Sequence, residues 1–240
     1  MSIFGNIVQS QQDLIAKVYP YIEQKYHSWP TTFNFGWFSG RAILAPKNDI
    51  VEQINCDLLK KIPTGNGYIY KSIDKVMDPT EAVNYPAEFL HTIDLPGLPP
   101  HNLHLKPGVP IMLLRNLEPP KLCNGTRLLV KNLRQHVIEA VILDGKYKKD
   151  HVFIPRIPIV TEKLTFKFKR LQFPVRLSFA MTINKSQGQT LKIAGLDLSS
   201  PCFSHGQLYV SCSRVGSPEN LNILPPNGKT NNIVYPEALY

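Results

Sequence analysis

The sequence contains few cysteines and no long apolar run. Its four cysteines, Cys56, Cys123, Cys202 and Cys212, include no C-x-x-C pair, so zinc-site spacing is absent and reduced thiols are expected. No apolar stretch approaches the roughly 20 residues that span a bilayer. The start, MSIFGNIVQSQQDL, lacks the basic region and apolar core of a signal peptide. We therefore expect a nuclear or cytosolic protein with no membrane partner.

Patterns that bind metals or nucleotide phosphates are also missing. His101 and His104 are three residues apart but have no neighbouring set of ligands, so we expect no metal site. A P-loop requires G-x-x-x-x-G-K-[ST]. Residues 228–230 read G-K-T, yet the position five before Gly228 is Ile223, and no paired acidic motif follows an apolar strand. The chain by itself is therefore expected to bind neither ATP nor Mg²⁺.

The composition that remains is that of a folded, basic protein. The chain has 240 residues, of which 43% are hydrophobic, and a formal net charge of +9 with a pI of about 9.3. A chain of this size and hydrophobicity can bury a core in one large domain or two small ones. The excess of lysine and arginine favours a polyanionic partner, because net charge acts on binding and not on the fold.

Two stretches indicate an α/β fold with a parallel sheet. RAILAPKNDIVEQIN, residues 41–55, predicts a strand, a loop and a helix, with Asp49 and Glu52 as a capping box. Residues 173–214 predict a strand, a polar turn, a short helix, a second strand, a loop and a helix that opens with a capping box of Ser204 and Gln207. The polar turn, TINKSQGQT, can donate many hydrogen bonds to phosphate oxygens.

The middle of the chain has a different character. Proline and glycine are frequent from 64 to 108, and strands are predicted at 109–114, 127–131, 137–143 and 164–169. Asn124 and Gly125 form a tight-turn signal between two of these strands. Short strands at such intervals predict a small β-barrel inserted into the α/β domain.

Two motifs give the chain a family resemblance. FPVRLSFAMTINKSQGQTL and GQLYVSCSRV are similar, in order and in spacing, to the last motifs of superfamily-one helicases of the Pif type (petite integration frequency), a group that includes the helicases of Helitron transposons. RAILAPKNDIVEQIN resembles an earlier motif of the same family, with Lys47 where many members have threonine. Residues 95–130 resemble the family's inserted 2B domain.

The resemblance implies a RecA-like (P-loop NTPase-type) lobe, a parallel sheet flanked by helices, with a β-barrel insert of the Src-homology-3 kind. The lobe is expected at 1–85 and 171–226, the 2B-like domain and barrel at 86–170 with a core signature at 86–131, and a tail at 227–240. Only the C-terminal half of the family pattern is covered. The N-terminal lobe, which carries the P-loop and the magnesium carboxylates, is not represented.

The resemblance also implies roles for individual residues. Arg214 is expected to act as an arginine finger on ATP held by the other lobe; the alternative is an arginine that only caps a helix end. Asn184 stands where histidine is more frequent, Asn48 could simply begin a helix, and Arg127 could form an ion pair inside the barrel. The residues expected to couple to the nucleotide are Lys185, Gln187 and Gly188, and those expected to contact DNA are Pro46, Asn48, Thr182, Asn184, Ser186 and Arg127.

The function implied is that of the C-terminal part of an ATP-dependent 5′-to-3′ DNA helicase. The family acts in DNA repair, recombination and telomere maintenance, or in Helitron transposition. The expected partners are single-stranded DNA and an N-terminal helicase lobe, with ATP and Mg²⁺ entering only with that lobe. Two alternatives stay open at this point. The chain could be a non-catalytic module that binds single-stranded DNA, or it could be the partner of a separately encoded ATPase lobe.

Overall fold

A computed structural model describes residues 5–27, 35–63, 67–78, 80, 83–161, 164–226, 230 and 232–235. Its contacts divide the chain into two compact units, Met1–Pro63 with Ser178–Tyr240 and Thr64–Leu177. Within the described residues, no helix is long and apolar enough to cross a membrane. Most of the expected tail, including Gly228 and Lys229, lies outside the described residues.

Six α-helices are present in the described residues: α1 Gln11–Val18, α2 Ile22–His27, α3 Phe35–Phe38, α4 Asn48–Lys61, α5 Ala87–Thr92 and α6 Gln207–Cys212. Short 3-10 helices span Ile183–Ser186 and Pro218–Asn220. The described strands are β1 Asn6–Ile7, β2 Arg41–Ala45, β3 Tyr68–Lys71, β4 Ile73–Val76, β5 Asn102–Leu105, β6 Pro110–Leu113, β7 Arg127–Leu133, β8 Val137–Ile142, β9 His151–Pro155, β10 Ile157–Val160, β11 Phe168–Gln172, β12 Val175–Leu177, β13 Ala180–Thr182, β14 Ile193–Asp197 and β15 Leu221–Leu224.

The first unit is built on a five-stranded sheet in the order β1-β15-β14-β2-β13, in which every pair is parallel. Strands β2, β13, β14 and β15 are mostly apolar and buried, as expected of strands covered on both faces, with Asp197 and Asn222 as buried polar exceptions, whereas β1 at the edge is exposed. Helix α1 packs on β14 with Leu14 and Val18 buried, and α4 packs on β2 and β13 with Ile54 and Leu58 buried. This confirms the predicted parallel α/β sheet and the strand–loop–helix order of 41–61.

Helix α1 can approach the sheet closely because β14 has a glycine at its centre. A Cβ atom on Gly195 would lie 2.8 Å from Cγ2 of Val18 and 3.2 Å from Cδ1 of Leu14. Real Cβ atoms do not come this near to other atoms, so a larger residue would push α1 away from β14.

Neither predicted capping box forms. The residue before α4 is Lys47, whose side chain makes no capping hydrogen bond, and Asp49 accepts from its neighbour Ile50 instead. Helix α6 begins at Gln207, and Gln207 Oε1 accepts from the Phe203 amide at 3.1 Å. Helix α6 thus starts two residues later than a cap at Ser204 requires, because Gly206 in the left-handed region, at φ 69°, turns the chain there.

The second unit contains three antiparallel sheets, β12-β6-β7-β8-β9, β10-β11-β4 and β3-β5. In the described residues no pairing of β9 with β12 closes the five-stranded sheet, so the Src-homology-3-like barrel stays a prediction. Gly125 takes φ 92° between β6 and β7, as the predicted turn requires.

The boundaries between the two units, at 63–64 and 177–178, differ from the boundaries expected at 85–86 and 170–171. Strands β3 and β4 lie within 1–85, yet they pair with β5 and β11 of the second unit. The single strand predicted between residue 173 and the polar turn is replaced by two short strands, since β12 pairs antiparallel with β6 while β13 pairs parallel with β2. Alternating side chains mark a strand but do not choose its partner, which is decided by pairing far along the chain.

A buried ion pair lies in the second unit. Arg170 Nη2 is 2.7 Å from Asp74 Oδ2, and both side chains are fully buried. The same guanidinium donates to the carbonyls of Leu90, Ile93 and Pro99. Its charge and donors are therefore satisfied by one carboxylate and three backbone oxygens, which a buried arginine needs.

Candidate functional site

The carboxyl edge of the parallel sheet collects four of the predicted residues. Strands β2 and β13 are neighbours with Thr182 opposite Ala45, so both strands end at the same level. Pro46 follows β2 and is buried, and Asn48 is exposed as the first residue of α4. Thr182 ends β13 half-buried, and Asn184 follows it exposed. The fold thus brings together two motifs that are far apart in the sequence, at the edge where α/β sheets bind ligands.

The 182–190 segment, the polar turn after β13, presents some side chains and buries others. Its 3-10 helix buries Ile183 and Ser186 and leaves Lys185 exposed, and the following Gln187 and Gly188 are exposed as well. Ser186 Oγ donates to the Ile183 carbonyl at 2.7 Å and is fully buried. This contradicts a DNA contact by the Ser186 hydroxyl in this conformation, which is occupied in holding the turn.

The backbone conformation at position 188 favours glycine. Its φ is +79°, in the left-handed region, and no heavy atom lies within 4 Å of the position a Cβ would take. Backbone conformation, and not lack of space, therefore selects glycine here. The exposed turn can approach a ligand closely, while its nucleotide-coupling role stays a prediction.

A buried asparagine on α4 fixes β13, although the sequence analysis gave it no role. Asn55 Nδ2 donates to the Ala180 carbonyl at 3.0 Å, and Asn55 Oδ1 accepts from the Ala180 amide at 2.9 Å. The Tyr19 hydroxyl donates to the neighbouring Phe179 carbonyl at 2.6 Å. β13 is the last strand of the sheet, so Asn55 satisfies the Ala180 backbone groups on its open side, whereas the Phe179 carbonyl also accepts from the Ile43 amide of β2. The signal that could have found Asn55 was its place at the end of the 41–55 motif.

Arg214 lies just beyond α6 and is half-buried. Its Nε donates to the Val210 carbonyl at 2.7 Å and its Nη2 to Ser213 Oγ at 2.7 Å. Its Nη1 donates to the carbonyls of Ser186 at 3.3 Å and Gln189 at 3.1 Å. The residue combines the predicted position after α6 with a contact to the 182–190 segment that the sequence did not indicate.

Arg127 belongs to the second unit and is not part of the carboxyl edge. Its side chain is 1% exposed, and its Nη1 lies 3.5 Å from Asp144 Oδ2. This burial contradicts a direct contact between Arg127 and DNA and agrees with the ion-pair alternative. The sequence could not distinguish the two, because Asp144 comes beside Arg127 only through the pairing of β7 with β8.

One group of side chains in the described residues has metal-ligand spacing, and it lies in the second unit. Ligand atoms of Asp74, His91 and His101 all lie within 4.8 Å of one another. The Arg170 guanidinium already binds both oxygens of Asp74, at 2.7–3.1 Å, and the two imidazoles are stacked with centroids 3.6 Å apart. A cation at this place would face a fixed positive charge, so the group does not fit a divalent metal.

Burial and the adjacent imidazole of His91 lower the pKa of His101 below its usual value of 6.5. Asp74 opposes this shift, and Arg170 and Lys71 add to it. The Ser72 hydroxyl lies 2.8 Å from His101 Nδ1 and 2.8 Å from Asp74 Oδ1. The lowered pKa favours the neutral form of the His101 imidazole.

Comparison with known proteins indicates the same helicase family that the sequence motifs resemble. Residues 88–133 match the family model of the DNA helicase Pif1 2B domain. The chain is 30% identical over 196 residues to the ATP-dependent DNA helicase PIF1 of Danio rerio, covering 75% of the chain and 27% of that protein. It is 32% identical over 138 residues to the Pif1 helicase of Bdellovibrio bacteriovorus, covering 58% of the chain and 30% of that protein. The chain thus spans less than a third of these relatives.

Solved structures show the same fold. The Pif1 helicase of Candida albicans superposes with a TM-score of 0.59 at 26% identity, covering 76% of this chain and 44% of that one. Bacteroides Pif1 bound to ssDNA gives a TM-score of 0.59 at 22% identity, covering 96% of this chain and 52% of that one.

The parallel sheet of the first unit, with helices packed on it and the motif residues on its carboxyl edge, is a RecA-like helicase lobe. The match to the 2B-domain model and the similar helicases indicate one family within this class of lobe. The chain has the sequence and fold of the C-terminal portion of a Pif-type superfamily-one helicase.

Proposed function

We propose that this chain is the C-terminal portion of an ATP-dependent 5′-to-3′ DNA helicase, acting in genome maintenance or in Helitron transposition. The observation that carries the proposal is the meeting of two helicase-like motifs at one sheet edge, where Asn48 and Asn184 are exposed beside the ends of β2 and β13. Single-stranded DNA is the proposed ligand of this edge.

The chemistry of the edge suits phosphates more than bases. Amide, hydroxyl and ammonium groups of Asn48, Thr182, Asn184 and Lys185 donate hydrogen bonds to phosphate oxygens, which position a strand without reading its sequence. The net charge of +9 adds attraction that weakens with salt, because bound phosphates release counterions. Binding is therefore expected to be insensitive to sequence and strongly dependent on salt.

ATP hydrolysis belongs to the two lobes together. The P-loop and magnesium carboxylates are absent from this sequence, so ATP and Mg²⁺ are expected on a lobe of the Pif type that this chain does not contain. Arg214 is proposed to neutralise charge on the transferred phosphoryl group, with Lys185, Gln187 and Gly188 linking the nucleotide to DNA. A Bacteroides Pif1 structure, 21% identical to this chain, contains ADP-AlF3 and ssDNA.

The DNA proposal is tested with two matched asparagine variants. Asn184 is exposed at the carboxyl edge, and Asn220 is exposed just before β15 begins, at the amino edge. We expect Asn184→Ala to weaken binding of a labelled oligothymidine about 3- to 10-fold, which corresponds to the loss of one solvent-exposed hydrogen bond, and Asn220→Ala to leave it unchanged. Fluorescence anisotropy at several salt concentrations measures both. Equal affinities of the two variants would exclude this edge as the DNA site.

The catalytic proposal is tested by adding back a P-loop lobe. The isolated chain should hydrolyse no ATP, whereas a fusion with the N-terminal lobe of a Pif-type helicase should show turnover stimulated by DNA. Arg214→Ala in that fusion should reduce turnover on the order of 10³-fold. A fusion that folds and binds DNA but never hydrolyses ATP would favour the non-catalytic DNA-binding module.

A further inference from the structure

The guanidinium of Arg214 joins two elements of the first unit. On one side it bonds α6 and its end, through the Val210 carbonyl and Ser213 Oγ. On the other side it bonds the Ser186 and Gln189 carbonyls, which bracket the exposed Gln187 and Gly188. These four hydrogen bonds use four of the five N–H donors that an arginine has.

We propose that Arg214 is a positioning residue for DNA binding, because it holds the 182–190 segment in the shape that presents Asn184 and Lys185 at the carboxyl edge. The inference rests on the proposed function, in which that segment contacts single-stranded DNA. It extends that function. In the proposed function Arg214 acts on the nucleotide, whereas in this inference it also supports DNA binding through the carbonyls of Ser186 and Gln189.

The backbone around the turn explains why these two bonds matter. The Leu191 amide donates to the Arg214 carbonyl at 2.8 Å, which anchors the end of the segment to the residue after α6. Within the turn, the Gln189 amide donates to the Ser186 carbonyl at 2.9 Å, and Gln189 Nε2 donates to the Lys185 carbonyl at 3.1 Å. The Nη1 bonds tie this turn to α6, and Gly188 between the two acceptors has no side chain to restrict it.

In this geometry, a phosphate contact by Arg214 Nη1 competes with the hydrogen bonds from Nη1 to the 182–190 segment. A phosphate that takes both Nη1 donors must replace the Ser186 and Gln189 carbonyls. The turn then loses its two links to the guanidinium at the moment that Arg214 binds phosphate. Phosphate binding by Arg214 thereby releases the DNA-facing 182–190 segment, and this coupling needs no other side chain.

The shape of arginine, and not its charge, is what the proposal requires. Lysine keeps the charge but presents a single ammonium, which cannot bond Val210, Ser213, Ser186 and Gln189 together. Arg214→Lys therefore separates a charge effect from a positioning effect. Lys17→Ala, at an exposed position of α1, is the control for loss of one positive charge from the same unit.

The test uses the whole 240-residue chain and an oligothymidine, with amide hydrogen exchange as a second measurement. We expect Arg214→Lys and Arg214→Ala to weaken DNA binding about tenfold, as loss of two hydrogen bonds implies, and Lys17→Ala to weaken it about twofold or less. Exchange should accelerate in 186–191 in both Arg214 variants and stay unchanged in β14.

Two results would overturn the inference. One is Arg214→Lys with wild-type DNA affinity and wild-type exchange at 186–191. The other is faster exchange with DNA affinity equal to that of Lys17→Ala, which would make the contacts purely structural. If the wild-type chain does not bind the oligothymidine at all, the proposed function fails, and the exchange measurement still shows whether Arg214 holds the turn. If Arg214→Ala does not fold, Arg214→Lys decides alone.

Discussion

The two units differ in where their charged and amide side chains are most prominent. In the first unit, exposed polar groups such as Asn48, Asn184 and Lys185 collect at one edge of the sheet, although Asp197 and Asn222 are buried within it. In the second unit the largest fully buried side chain is Arg170, paired with Asp74 and stacked imidazoles beside them. The first unit thus exposes a polar sheet edge, whereas the second unit buries an ion pair.

This difference follows from the two kinds of sheet. Parallel strands end together at one edge, so residues that follow them converge at the surface without being buried. The second unit joins short antiparallel strands from distant parts of the chain, and a buried arginine can bond several loop carbonyls at once. Arg170 reaches Leu90, Ile93 and Pro99, which lie in and after α5.

Substitution of Arg170 should lower the free energy of unfolding more than the other substitutions, and it should destabilise only the second unit. Arg170→Met leaves the buried Asp74 carboxylate without its partner, so the free energy of unfolding should fall by about 3–5 kcal/mol. Lys121→Met is the matched control, since its pair with Asp150 is partly exposed and its loss should change the free energy of unfolding far less. Chemical denaturation measures both. A loss below about 1 kcal/mol for Arg170→Met would contradict a structural role for the ion pair.

Asn55 is one of several buried polar residues in the first unit, and it bonds two backbone groups of β13. Asn55→Ala leaves the Ala180 amide and carbonyl without their side-chain partners and should destabilise the first unit by about 1–3 kcal/mol. Gln53→Ala, exposed on the same helix, should stay within about 0.5 kcal/mol of wild type. Thermal unfolding compares the two, and equal melting temperatures would show that β13 does not need Asn55.

Acid should affect the second unit to a smaller extent through the imidazole stack. The pKa of His101 is lowered in the fold, so the unfolded chain binds more protons as pH falls below 6.5. Stability from this group is therefore complete above pH 6.5 and decreases as pH falls through the lowered pKa. His101→Gln should reduce the difference in unfolding free energy between pH 7.5 and pH 5.5. If the variant and the wild type lose the same stability, His101 does not carry the effect.

Local pattern predicted much of this protein. Hydrophobic runs and motif order identified the parallel sheet, the strand–loop–helix of 41–61 and the family likeness, because these features depend on neighbours in the sequence. The 3-10 turn after β13 and the position of Arg214 after α6 followed from the same motifs. The likeness implied a DNA contact for Asn48 and for Asn184 separately, and the pairing of β2 with β13 places both at the same sheet edge.

Only the tertiary structure decided where buried polar groups find their partners. Asp74 and Arg170 are 96 residues apart, and Arg127 meets Asp144 through strand pairing, which no local periodicity encodes. The stretch before the polar turn forms two short strands in different sheets, β12 and β13, for the same reason, since alternation is identical in parallel and antiparallel pairs. The sequence by itself determined which residues form strands, helices and polar turns, whereas long-range packing determined that Arg214 bonds the carbonyls of Ser186 and Gln189.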